Sequence, residues 1–208
     1  MFTPLRARRA VFWYLGSDRI VAAVVARGER EPVLEACAAS YSAAIDGSRF
    51  APGLLEIAWV LGCEDQAHVA ALAAPYCRLE SIEGDARAAL EGAVQLAGSA
   101  AAQPGGERVA AVRGADGLRV YADAVAVSQA AAMFRRARLR LVALDCEPCA
   151  LASLADALGS GDAEGARRQH LSAVTVMPDS ESSAEALGED LAVPVGLAVA
   201  WFGAGRAL

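Results

Sequence analysis

Three apolar runs parted by short polar turns fill the chain between Ala10 and Tyr41, and they leave few folds open. "AVFWYLGS" reads as a strand ending at a glycine, "RIVAAVVARG" as a second strand and "EPVLEACAASY" as a third. The turn "GEREP", Gly28–Pro32, carries the charge and the turn formers of a hairpin tip. The chain therefore opens on an antiparallel meander. A helix is expected over 52–61, where Leu54, Leu55, Ala58 and Leu61 share one face.

A distinct block follows. "HVAALAAP" and "YCRLESI" read as extended, "GDARAALEGAVQLAGSAA" as a helix with Asp85 near its start, and "GERVAAVRG" with "GLRVYADAV" as a hairpin turning at Ala115, Asp116 and Gly117. Together they predict a strand–helix–strand–strand lobe. Beyond it, "SQAAAMFRRARL" predicts a helix with arginines in its last turn, "RLRLVALD" a strand buried on both faces, and "EPCALASLADALGSG" a helix stopped by Gly159. One more strand, "LSAVTVM", a polar stretch from Pro178 to Glu185 and a final apolar segment close the chain.

The 208 residues suit one domain or two small lobes. With 55% hydrophobic residues, intrinsic disorder is excluded for most of the chain, since burial can offset the ordering entropy. The aromatic share is only 6% and alanine is abundant, so thin helices should pack closely on a sheet. A net charge of −6 argues against nucleic acid as a partner, whose binders carry a basic footprint. "LAVPVGLAVAWFGAG", Leu191–Gly205, is shorter than the ~20 residues of a membrane span and is interrupted by Pro194. Asp18 and Arg19 break the first apolar run too early for a signal peptide. A cytoplasmic location is expected.

Five cysteines in such a chain argue against a disulfide framework. Cys146-Glu147-Pro148-Cys149 is the sharpest chemical motif, because it falls where a strand gives way to a helix, and a helix N-terminus lowers a thiol pKa. A thioredoxin-like oxidoreductase using Cys146 and Cys149 is one reading, with Val193-Pro194-Val195 in the place of its cis-proline; two thiols packing the helix base is the other. Zinc could draw on Cys146 and Cys149 with Cys63, Cys77 or His68, but no second closely spaced pair exists, so no metal site is expected. His68 and His170 have no partner spacing, and Asp145 and Glu147 are neighbouring carboxylates with nothing nearby for acid–base work. Arg135, Arg136, Arg138 and Arg140 offset a helix dipole, or form a patch for anionic lipid or an acidic partner that Arg6, Arg8 and Arg9 could extend.

In order, these pieces resemble the PilM-type actin-like proteins of bacterial type IV pilus assembly. "VFWYLGSDRIVAAVVARGEREPVLEACAASY" resembles their opening strand, Gly-Ser turn and second strand; "MFRRARLRLVALDCEPCALASL" is similar to their helix, acidic-ended strand and Ala-Leu helix; "EDLAVPVGLAVAWF" resembles their closing helix. The cytoplasmic domain of type II secretion L-proteins is a close relative of that family. The resemblance implies an α/β fold: a reduced actin-like, ribonuclease-H-like core over 1–65 and 124–208, with the inserted lobe over 66–123 and the second actin lobe missing. It also implies where nucleotide chemistry would have been. The aspartate that serves the first phosphate turn corresponds to Tyr14, beside Gly16 and Ser17, and Met177-Pro178-Asp179 lacks the glycine pair of the second phosphate hairpin. The expectation is a vestigial site with no cofactor and no enzymatic activity. The implied role is a scaffold that binds the cytoplasmic tail of a bitopic, PilN-like inner-membrane protein, peripheral at the membrane through that partner and possibly homo-oligomeric.

Overall fold

The computed structural model describes residues 8–41, 50–81, 107–113 and 118–203. The meander forms as expected: β1 (Arg9–Leu15), β2 (Ile20–Ala26) and β3 (Val33–Ser40) pair antiparallel in sequence. After α1 (Phe50–Val60), β4 (Ala67–Leu72) returns to pair parallel with β1, and β8 (Arg140–Cys146) adds parallel to β4. The short β9 (Thr175–Val176) lies parallel to β3 at the opposite margin. The result is a six-stranded sheet of order β8-β4-β1-β2-β3-β9. Parallel neighbours need long crossovers, and here α1 and the whole second sheet serve as two of them.

That second sheet is antiparallel and three-stranded, in the order β5-β7-β6, from β5 (Cys77–Ser81), β6 (Glu107–Arg113) and β7 (Leu118–Asp123). The sequence reading started the inserted lobe at residue 66. The structure moves that boundary to Cys77, because β4 sits between β1 and β8 in the core sheet. Every residue of β4 is buried, so it needs cover on both faces, which only a central place provides. The helix expected from "GDARAALEGAVQLAGSAA" and the hairpin tip at Ala115–Gly117 lie outside the described residues.

Strand alternation divides the core in two. Val11, Trp13 and Leu15 of β1, with Ile20, Ala22 and Val24 of β2, face α1 and α2 (Ala124–Arg136); Trp13 meets Phe134 edge to face at 5.8 Å. Ala10 and Phe12, with Val21, Ala23 and Val25, face α3 (Glu147–Leu158), α4 (Ala163–Arg168) and α6 (Ala192–Gly203), and Phe12 meets Phe202 at 5.8 Å. A small helix, α5 (Glu181–Leu187), follows β9.

Three local expectations change. β8 is an edge strand with Arg140 and Val142 exposed, not one buried on both faces. The first three residues of "LSAVTVM" belong to a 3-10 turn, His170–Ala173, and only two residues form β9. The polar stretch after Pro178 is helical. Residues Pro178–Gly203 together have the length and composition of a membrane-crossing helix, yet α5 and α6 are separate helices parted by a 3-10 turn, and Ala192–Ala198 are buried in the core.

The α3–α6 contact is set by one missing side chain. A Cβ on Gly196 would lie 2.2 Å from the Ala150 carbonyl oxygen and 2.8 Å from its carbon. Gly196→Ala should therefore push the helices apart and destabilise by about 1–3 kcal/mol in urea unfolding, against a gain in helix propensity of about 1 kcal/mol. Gly203→Ala, which meets nothing within 4 Å, is the matched control and should leave the midpoint nearly unchanged.

Candidate functional site

Ligands of open α/β sheets bind where parallel strands end at their carboxyl termini. Here β1, β4 and β8 end in register, Leu15 opposite Leu72 and Leu72 opposite Cys146. The chain leaves them through Gly16–Ser17, Ala73–Ala74 and the first turn of α3. These segments converge on one carboxylate, Glu147.

Glu147 is the first residue of α3, where a negative charge meets the positive end of the helix dipole. It is 7% exposed. Its Oε2 accepts from the Tyr14 hydroxyl at 3.2 Å and from the Ala74 backbone N–H at 2.8 Å, while Oε1 receives Arg167 of α4 in an ion pair. Burial and the adjacent Glu147 carboxylate push the Tyr14 phenol up to about 12, so it stays protonated and donating. Tyr14, the residue expected in place of a phosphate-organising aspartate, thus fills the strand-end site and ties it to α3.

Gly16 and Ser17 form the tight β1–β2 turn, in which the Gly16 N–H donates to the Arg19 carbonyl at 2.9 Å. A Cβ on Gly16 would stand 2.9 Å from that carbonyl oxygen and 3.1 Å from the Tyr14 ring, so turn geometry itself requires glycine here. Arg19 then crosses to Asp190 at 3.0 Å, which also accepts from the Tyr41 hydroxyl at 3.4 Å. Met177-Pro178-Asp179 leads into a 3-10 turn whose Ser180 hydroxyl donates to the Glu35 carbonyl.

Cys146 caps α3 and Cys149 lies in its first turn; they are 1% and 2% exposed. Asp145 accepts from the Cys146 N–H at 2.9 Å, and the ligand atoms of Asp145, Cys146 and Cys149 lie within 4.8 Å of one another. Cys77, at the head of β5, stands beside the Cys146 thiol, which together with burial holds it protonated above the usual thiol range, and its Sγ reaches the carbonyls of Leu72 and Ala73. Cys63 donates instead to the Ala58 carbonyl, and His68 Nδ1 is bonded to Trp13. Pro194 stands in the first turn of α6, which is not the loop position a thioredoxin-like site would give it.

His68 is wholly buried, and its Nδ1 accepts from the Trp13 indole N–H at 2.9 Å. Burial lowers it from 6.5 to about 4, with Arg140 adding to the effect and the Glu64 carbonyl opposing it. His170 is lowered for the same first reason. Arg9 pairs with Glu35 on β3 rather than joining the arginines at the end of α2; Arg6 lies outside the described residues.

Sequence reasoning singled out Tyr14, Gly16 and the cysteine pair. It passed over Glu147 as a buried hub, although a carboxylate at a helix start before a proline is a visible signal. Arg167 carries no such signal, and Cys77 was named only as one of three alternatives beside the cysteine pair, since only the fold brings either close.

The sheet order and the helices on its two faces define an actin-like α/β core carrying an added antiparallel sheet. Among solved structures, a chain of the PilM–PilN type IV pilus biogenesis complex matches with TM-score 0.63 and 13% identity, over 95% of this chain and 99% of that one. The cytoplasmic domain of EpsL, an inner membrane component of the type II secretion system of Vibrio cholerae, matches with TM-score 0.47 and 16% identity, over 69% and 58%. No family model and no curated protein matches the sequence. The fold is thus that of the PilM type, as the resemblance implied.

Two outcomes are expected. Histidine is neutral in both folded and unfolded chains above about pH 6.5, so stability is unaffected by His68 there. As pH falls toward 4 the unfolded chain takes up a proton that the buried imidazole refuses, and stability drops, by on the order of 3 kcal/mol from this residue. His68→Gln, which keeps an acceptor for Trp13, should flatten the acid limb of stability against pH. Separately, Mg-ATP titration by calorimetry should give no saturable heat, because Tyr14, Glu147 and Arg167 occupy the strand-end site; a micromolar dissociation constant would refute that.

Proposed function

We propose that this protein is a non-enzymatic assembly component of a type IV pilus or related secretion machine, holding the cytoplasmic tail of a PilN-like inner-membrane protein. The carrying observation is the fold match over 95% of this chain and 99% of a chain from a PilM–PilN complex. The filled strand-end site supports a binding role over a nucleotide-dependent one. On this reading the protein is cytoplasmic and reaches the inner membrane through its partner, with no cofactor and no nucleic acid involved.

A docking surface is available on α1. Leu55 and Trp59 lie one turn apart and are 47% and 73% exposed, beside Val60 at 63%; Val125 on the neighbouring α2 is 62% exposed. Large aromatics in such positions dominate binding energy when a partner covers them. A cavity of about 380 Å³ lies away from this face, between the Arg27–Pro32 hairpin and the C-terminal ends of α3 and α6.

Trp59→Asp should weaken binding to the partner's tail peptide by tenfold or more, read by fluorescence anisotropy, while leaving the melting temperature unchanged. In cells the wild type should sediment with membranes when the partner is present and turn soluble when its tail is deleted. Soluble fractionation in both strains would remove the assignment.

A further inference from the structure

The geometry points to a structural metal site at the start of α3, built from Cys146, Cys149, Asp145 and Cys77, that takes a soft, tetrahedral divalent cation of the zinc class. Two of the chain's five cysteines, Cys37 and Cys63, sit apart from it in the core. Cys146 and Cys149 meet at one point with the Asp145 carboxylate, and Cys77 stands beside Cys146.

Each donor arrives for a separate reason. Cys146 is the N-cap of α3 and Cys149 follows in its first turn, so both thiols face the same helix end. Asp145 precedes them on β8, and its carboxylate is oriented by the Cys146 N–H at 2.9 Å. Cys77 enters from the other sheet and already touches the Cys146 thiol. The ligand atoms of Asp145, Cys146 and Cys149 lie within 4.8 Å of one another. A tetrahedral zinc with bonds of about 2.3 Å needs sulfurs about 3.8 Å apart, so these three have to contract only by roughly an ångström, while Cys77, which lies outside that mutual distance, would swing in from beside Cys146 to complete the set.

Three sulfurs and one oxygen are a soft donor set, which selects zinc over magnesium or calcium. Uptake deprotonates the thiols and releases their protons, so affinity should rise with pH. The consequence is mechanical. Cys77 begins β5 and Cys146 ends β8, so the ion would fasten the three-stranded sheet to the core at the strand ends.

The test uses the full chain, reduced and stripped with chelator, and titrated anaerobically with Co²⁺. One equivalent should bring up intense thiolate-to-cobalt charge transfer and the visible bands of a tetrahedral site, and Zn²⁺ should bleach both. Cys146→Ser and Cys149→Ser should abolish the bands; Cys77→Ser should weaken binding at least tenfold; Cys63→Ala should change nothing. As these thiols are buried, a wild-type measurement stands beside the variants. In mild urea, Zn²⁺ should slow alkylation of Cys77, Cys146 and Cys149 but not of Cys37 or Cys63, read by peptide mass. Absence of a saturable cobalt spectrum, or equal alkylation of all five thiols with and without Zn²⁺, would overturn the site.

Discussion

The contact between Gly196 of α6 and the Ala150 backbone of α3 is the constraint on which the functional end of the molecule depends. With no Cβ at Gly196, the helices approach more closely than any side chain would permit. Ala150 is one turn from the head of α3, so this contact also sets where Cys146, Glu147 and Cys149 come to rest. A helix displaced by an ångström would pull the Glu147 carboxylate from Tyr14 and Ala74 together, since both bonds end on Oε2. Packing among small residues, far from any polar chemistry, thereby positions all of it.

The strand-end site carries the opposite design to a ligand cradle. A cradle keeps its N–H groups and carboxylates available, whereas Glu147 spends both oxygens on partners from three other segments. An ion pair this buried gains little over an apolar contact, but removing either partner leaves a charge stranded. Its role is therefore to specify one arrangement of β1, β4, α3 and α4. Arg19 extends the same logic, carrying the β1–β2 turn across to Asp190 just ahead of α6. Glu147 is thereby held inside the fold by its own chain's groups.

Much of this was legible along the chain because it depends on local periodicity. Alternation and turn chemistry mark β1–β3, and a 3.6-residue pattern marks α1, α2 and α3. Errors came where neighbours decide. "HVAALAAP" looks the same whether it belongs to an inserted lobe or to the centre of the core sheet, and "RLRLVALD" reads as buried until its place at the sheet edge exposes Arg140 and Val142. In "LSAVTVM" the apolar content suggested a full strand, but β3 offers it only two register partners.

The amino-acid sequence by itself determined the opening meander, the helix that begins at Glu147 and the glycine of the β1–β2 turn, each set by bonds and sterics within a few residues. Tertiary structure alone decided that Tyr14 would meet Glu147 and Arg167, that β4 would lie beside β1, and that Cys77 would touch Cys146. Those meetings join segments remote in sequence through strand register and helix packing, and neither leaves a periodic mark on the residues that it brings together.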